Sequence, residues 1–131
     1  MRGVVLHDGP RLQELPSPEI QEGWVLVAVK MASINGLDLD VIRGRLGFGG
    51  TPGNGFVGMV IDGRGSQARG LIGRRVLGRG SFGCGDCDVC SNGMDHRCRD
   101  RQSPGRWGAS GAHAEEIALP VRAVVPVRNR W

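Results

Sequence analysis

Four cysteines set the strongest constraint on this chain. They are its only cysteines, and they fall within 15 consecutive positions: Cys84-Gly85-Asp86-Cys87-Asp88-Val89-Cys90, then Cys98 after seven intervening residues. Two-residue spacers let successive sulfurs converge on one ion inside a tight loop, and the longer spacer lets the chain swing back with a fourth. A tetrahedral four-thiolate set suits zinc, and it leaves no open position for substrate, so the spacing predicts a structural ion. Two rivals use the same residues. Two disulfides would need an oxidising compartment. An iron–sulfur cluster also uses four cysteines, but the bacterial ferredoxin run has a three-residue spacer and then Pro after its last Cys, where this chain has Arg99. His96 is expected on the lobe surface. Asp86, Asp88 and Asp95 are expected to be solvated and not ligating. Zinc bound by four thiolates contributes on the order of 10 kcal/mol to folding, which would order a stretch with almost no apolar side chains.

The rest of the chain points to short strands and tight turns. It has 131 residues, 23 of them Gly, a length that suits one domain over 1–131, with the zinc lobe at 84–98. Strands are expected over 4–6, 24–31, 56–61, 72–77, 113–119 and 121–127. The clearest is 24–31, where Val25, Val27 and Val29 alternate with Leu26, Ala28 and Lys30. Gly58 interrupts its strand and marks a bulge or a close-packing point. Asn35-Gly36 reads as a turn leading into one or two helical turns over 37–42. The stretch 62–66 reads as another turn, and Pro10 with Leu15-Pro16-Ser17-Pro18 breaks regular structure after the first strand. Residues 80–111 are expected to be irregular. This pattern argues for a mainly β architecture, a small barrel or sandwich.

The net charge of +4 is compatible with an anionic partner. The arginines are scattered from Arg2 to Arg130 without aromatic interleaving, however, so nucleic-acid binding is not expected. No apolar stretch has the length of a membrane span. The start lacks the features of a secretory leader, and a cytoplasmic location is expected.

The cysteine run and its flanks resemble the medium-chain alcohol dehydrogenase family. Gly83-Cys84-Gly85-Asp86-Cys87-Asp88-Val89-Cys90-Ser91-Asn92-Gly93 is similar to its "CGxCxxCxxG" lobe, and Gly73-Arg74-Arg75-Val76 to its "GDRV" strand. Gly23-Trp24-Val25-Leu26-Val27 resembles "GEVLVRV", Thr51-Pro52-Gly53-Asn54-Gly55 resembles "xPGHE", and Ser110-Gly111-Ala112-His113-Ala114-Glu115-Glu116 resembles "GGxAEY". The resemblance implies the GroES-like fold, an irregular β-barrel, of that family's N-terminal catalytic domain.

Two departures limit what the resemblance implies about chemistry. Zinc-dependent members hold a catalytic ion with a Cys in "CGxDxH" and a His-Glu pair in "GHE". Here those positions read Asn35, Asn54 and Gly55; Asp38 and Asp40 remain, but two carboxylates alone are weak for zinc. Asn offers only a neutral amide oxygen where zinc prefers thiolate or imidazole, so no catalytic zinc is expected. Asn35, Asp38 and Asn54 remain as vestigial or substrate-side candidates. The Asn35-x-x-Asp38 pattern is also similar to the zinc-free quinone-reductase branch, whose Asn lies near nicotinamide and substrate. The competing reading of Asn35 is a turn residue. Second, no G-x-G-x-x-G stands between a strand and a helix, and Gly47-Phe48-Gly49-Gly50 lacks that context, so no NAD(P) site is expected within this chain.

The leading expectation is a zinc-binding domain that is not catalytic on its own. One alternative is a zinc-free NAD(P)-dependent oxidoreductase completed by a separate Rossmann chain. Another is a basic nucleic-acid-binding zinc module. Apolar surface near 121–127 and Trp131 predicts self-association or a partner protein covering the barrel face.

Overall fold

In the computed structural model, residues 1–128 are described. Nine short strands and three short helices follow in the order β1 Arg2–Leu6, β2 Pro10–Glu14, β3 Trp24–Ala32, α1 Gly36–Ile42, β4 Phe56–Gly63, α2 Ser66–Arg69, β5 Arg75–Gly78, α3 Asp88–Ser91, β6 Ser103–Pro104, β7 Gly108–Ala109, β8 Glu116–Pro120 and β9 Val124–Pro126. The architecture is mainly β, as expected. A five-stranded sheet in the order β8-β3-β4-β5-β9 curls into a half-barrel, flanked by the two-stranded sheets β1-β2 and β6-β7.

β3 is the organising strand because both of its edges are paired. Its register runs Val25 to Gly63 on β4 and Val25 to Leu119 on β8, both antiparallel. The alternation read from the sequence is the one observed, with Val25 and Val27 fully buried. They join Val60, Val76, Phe82, Ile117 and Leu119 in one apolar core. Burying one such side chain contributes about 1.5–3 kcal/mol. The ladder is not regular. Its register shifts between Leu26 and Val27 and between Val29 and Met31, leaving Ile61 and Lys30 without a directly opposed residue. Such bulges bend a strand, which suits a curled sheet.

Gly58 sits inside this bend. A Cβ there would lie 2.4 Å from the Ala28 carbonyl oxygen, so the two backbones approach more closely than any side chain permits. Of the two readings of Gly58, close packing is the direct cause, and the bulges lie on either side of it.

Several boundaries differ from the sequence reading, each for a local reason. The strand expected over 72–77 begins only at Arg75, because Gly73 takes a positive φ of 82° and its amide bonds back to Val60. The strand expected over 113–119 begins at Glu116. The strand expected over 121–127 divides into a 3-10 turn, Val121–Ala123, followed by β9. β2 runs through the region read as broken. It pairs fully with β1 although every residue in it is exposed, so it carries no apolar alternation. Residues 62–66 lead into α2, whose Ala68 fills space against the sheet.

On the outer face, Leu77 and Val125 oppose each other across the β5–β9 pair and are 45% and 46% exposed. Met59 and Ile61 lie exposed on neighbouring β4. Trp131 falls outside the described residues. Among the described residues, no helix is long and apolar enough to cross a membrane.

Gly58→Ala should destabilise the chain by about 1–3 kcal/mol, because β3 and β4 must separate to admit the methyl group. Urea unfolding followed by far-UV circular dichroism checks this, and an unchanged midpoint would contradict the packing described.

Candidate metal centre and the Asn35–Asp38–Asn54 cluster

The four cysteine sulfurs converge. All lie within 4.8 Å of one another, and among the described residues they form the group able to hold a metal ion. Cys84 and Cys90 sulfurs are 4.0 Å apart, and those of Cys87 and Cys98 are 3.8 Å apart. Cys98 is buried and the other three are half-buried. Local structure arranges them. Cys87 caps the single turn of α3, its sulfur accepting from the Cys90 amide at 3.4 Å. The Asp86 amide points at the Cys84 sulfur and the Cys84 amide at the Cys98 sulfur, each at 3.4 Å. Backbone N–H groups aimed at sulfur favour thiolate.

The site leaves no room for a different lobe. A Cβ on Gly83 would fall 2.5 Å from the Cys90 sulfur, and Gly85 adopts a φ of 82°. The donor set and its compactness fit one tetrahedral ion with thiolate ligands. His96 is exposed and outside the cluster, as expected.

The thiols differ in acidity. The Asp86 and Cys87 amides draw the Cys84 thiol down to about 7. At Cys90 the Gly85 amide favours the thiolate, but desolvation and the thiols of Cys87, Cys98 and Cys84 outweigh it, and the group is pushed up to about 12. Since only thiolates ligate, filling the site at neutral pH must release protons.

Two arginines fasten this lobe to the barrel. Arg79, just after β5, donates to Asp95 Oδ1 at 3.2 Å and to the Arg122 carbonyl at 3.1 Å. Arg122 in turn donates through Nε to the Gly83 carbonyl at 2.8 Å and lies over the Phe82 ring. Asp95 was expected to be solvated. Instead it is half-buried and ion-paired, with the Arg79 hydrogen bond holding its carboxyl below the usual range.

The second set of candidates also meets in space. Asn35 caps α1: its Oδ1 accepts from the Leu37 and Asp38 amides at 3.0 and 3.1 Å. Asp38 completes a capping box, its Oδ2 accepting from the Asn35 amide at 2.9 Å. Its other oxygen accepts from the Asn54 amide at 3.1 Å, so this fully buried carboxylate ties the two loops together. Asn54 Nδ2 faces three acceptors, the Gly80 carbonyl and Ser103 Oγ at 2.9 Å each and the Pro104 carbonyl at 3.0 Å. Gly55 has no side chain, and its Cβ position lies 2.6 Å from Ser33 Oγ. His113 Nε2 sits 3.0 Å from the Ser33 carbonyl oxygen. Sequence reasoning found Asn35, Asp38 and Asn54 but gave no role to Ser33, Ser103 and His113, which reach the cluster only through the fold.

The family described as alcohol dehydrogenase GroES-like domain matches residues 21–129, and the chain belongs to it. L-threonine 3-dehydrogenase of Chelativorans sp. (strain BNC1) is 34% identical over 126 residues, 92% of this chain and 36% of that protein. The enzyme of the same name from Streptomyces avermitilis is 38% identical over 86% of this chain and 34% of its own length. Galactitol-1-phosphate dehydrogenase from Escherichia coli superposes with a TM-score of 0.86 at 25% identity, over 98% of this chain and 38% of its own. The chain thus spans about a third of the length of the curated relatives it matches.

Asp95→Asn should loosen the lobe by about 1 kcal/mol. The folded-state carboxyl is more acidic than the unfolded one, so this contribution is present above the unfolded carboxylate range and is lost as pH falls through the folded value. Amide exchange over 84–98 should quicken at pH 7 in the variant, and the difference should vanish in acid.

Proposed function

We propose that this chain is a zinc-stabilised dehydrogenase-family domain without a catalytic metal, and that it does not transfer hydride by itself. Cys84, Cys87, Cys90 and Cys98 hold one structural zinc. The observation that carries the reading is the state of the second cluster. The Asn35 oxygen and both Asp38 oxygens already accept backbone amides, Asn54 turns donors and not lone pairs toward its neighbours, and Gly55 offers no ligand. A catalytic zinc needs three protein ligands with an open fourth position, and these residues do not supply them. The cofactor chemistry of the family needs a nicotinamide held against substrate, and this domain forms at most one wall of such a cleft. Four clustered cysteines with no disulfide among them fit a reducing, cytoplasmic setting.

A second reading has one observation in its favour. Asn35 is exposed at the start of α1, where the zinc-free branch of the superfamily places a substrate-side Asn. In that reading the domain works with a nicotinamide-binding Rossmann unit and without zinc at the reacting centre. A mixture with such a unit that stayed inactive toward carbonyl and enone substrates would remove this reading.

The apolar outer face at Met59, Ile61, Leu77 and Val125 supports a covering partner. Relatives are about three times as long, so further dehydrogenase structure or a second copy of the chain is the natural cover. The purified 131-residue chain should sediment as more than a monomer at high concentration, and strictly monomeric behaviour would count against a second copy.

Metal analysis decides the central claim. One zinc per chain is expected, lost in Cys87→Ser and unaffected in Asn35→Ala. Two zinc ions per chain would overturn the account of the second cluster. Binding should weaken as pH falls, because protons compete for the thiolates.

A further inference from the structure

A recess of about 510 Å³ opens between the loop carrying Leu46, Phe48 and Gly49 and the turn carrying Arg106, Trp107 and Ser110. Its lining holds one formal charge, the Arg106 guanidinium, and no acidic residue. The guanidinium lies against the Trp107 ring, with its central carbon 4.1 Å from the ring centroid. Among the described residues it makes neither an ion pair nor a hydrogen bond, and its Nε is buried without an acceptor. Among the described residues, Arg–carboxylate pairs form at Arg2, Arg45 and Arg79, away from this recess.

The Arg106 side chain stands on a fixed support. The Ser103 carbonyl accepts from the amides of both Arg106 and Trp107, Ser103 donates its own amide to the Trp107 carbonyl, and Gly105 bonds to Ala109. Trp107 Nε1 is anchored on the Arg101 carbonyl at 3.0 Å, which fixes the ring that the guanidinium stacks on. Across the recess, the amides of Gly47, Phe48 and Gly49 have no hydrogen-bond partner among the described residues. Both walls lead into the Asn35–Asp38–Asn54 cluster. The loop runs directly into Thr51-Pro52-Gly53-Asn54, and the turn is held by Asn54 through Ser103 and Pro104.

A guanidinium with its Nε buried and no counter-ion presents an unpaired donor edge, and that planar edge matches an oxyanion with two acceptor oxygens. We propose that this recess binds a small organic anion: the oxyanion on the Arg106 fork and the free amides of the opposite loop, the apolar stem against Leu46 and Phe48. None of these residues belongs to the zinc lobe, so the site stands or falls separately from the metal assignment.

The test uses the purified chain and follows the Arg106 Nε–H resonance by NMR during titration with hexanoate, hexyl phosphate and hexanamide. The two anions should produce saturable shifts with dissociation constants in the millimolar range, weakening with salt, and the neutral amide should not. Whichever anion binds more tightly identifies the oxyanion as carboxylate or phosphate. Arg106→Gln should weaken binding by about tenfold or more. Arg106→Lys, which keeps the charge and loses the fork, should fall between. Arg101→Gln, which removes the other guanidinium over the same ring, should leave binding unchanged. If Arg106→Gln does not fold, the comparison of anion with amide on the unaltered chain still decides. No saturable shift with either anion, equal binding of hexanamide, or full affinity in Arg106→Gln would overturn the proposal.

Discussion

The pairing of β3 on both edges is the constraint on which the remaining structure depends. β3 carries the fully buried Val25 and Val27 into the core, fixes β4 through the Gly58 contact and fixes β8 through Leu119 and Ile117. Its C-terminal end delivers Ser33 and Asn35 to the start of α1, and the loop before β4 delivers Asn54. The second cluster is therefore assembled where two strands of one bent ladder begin and end. The curl of the ladder is what brings the loops within hydrogen-bond reach of one buried carboxylate, Asp38.

The cysteine lobe follows a different physics. It has almost no apolar side chains of its own, and Cys98 is its buried residue. Its order comes from converging sulfurs, amide-to-sulfur contacts and the Arg79 and Arg122 attachments. The four cysteines and the Asn35–Asp38–Asn54 cluster share no residue, so the lobe and the neighbouring loops can vary separately. This separation explains why the lobe identifies the family well and describes the reaction poorly.

Much of this was legible in the sequence, and what was hidden had physical causes. The cysteine spacing required convergence, and the valine alternation of 24–31 placed one face in the core. β2 was hidden because an exposed edge ribbon has no burial pattern to read. The break at 121–123 was hidden because the apolar run continues through a 3-10 turn. The sequence named Asn54 as a replaced ligand but could not show that its amide faces Gly80, Ser103 and Pro104, contacts separated by 26 to 50 positions. Arg106 and Trp107 belong to no motif, and only the folded turn shows the guanidinium against the ring with no acid beside it.

The closeness of Ser33 to Gly55 limits what positions 54 and 55 accept. Introducing Glu at 55 alone would set its Cβ against the Ser33 hydroxyl. Introducing His at 54 alone would remove the amide that faces three acceptors, two of them main-chain carbonyls. The first change asks the Ser33 hydroxyl to turn away, and the second leaves buried acceptors without their donor. The hydrogen bonds that fill this corner make it locally self-consistent, so a substitution at 54 or 55 meets a closed network and not an empty loop.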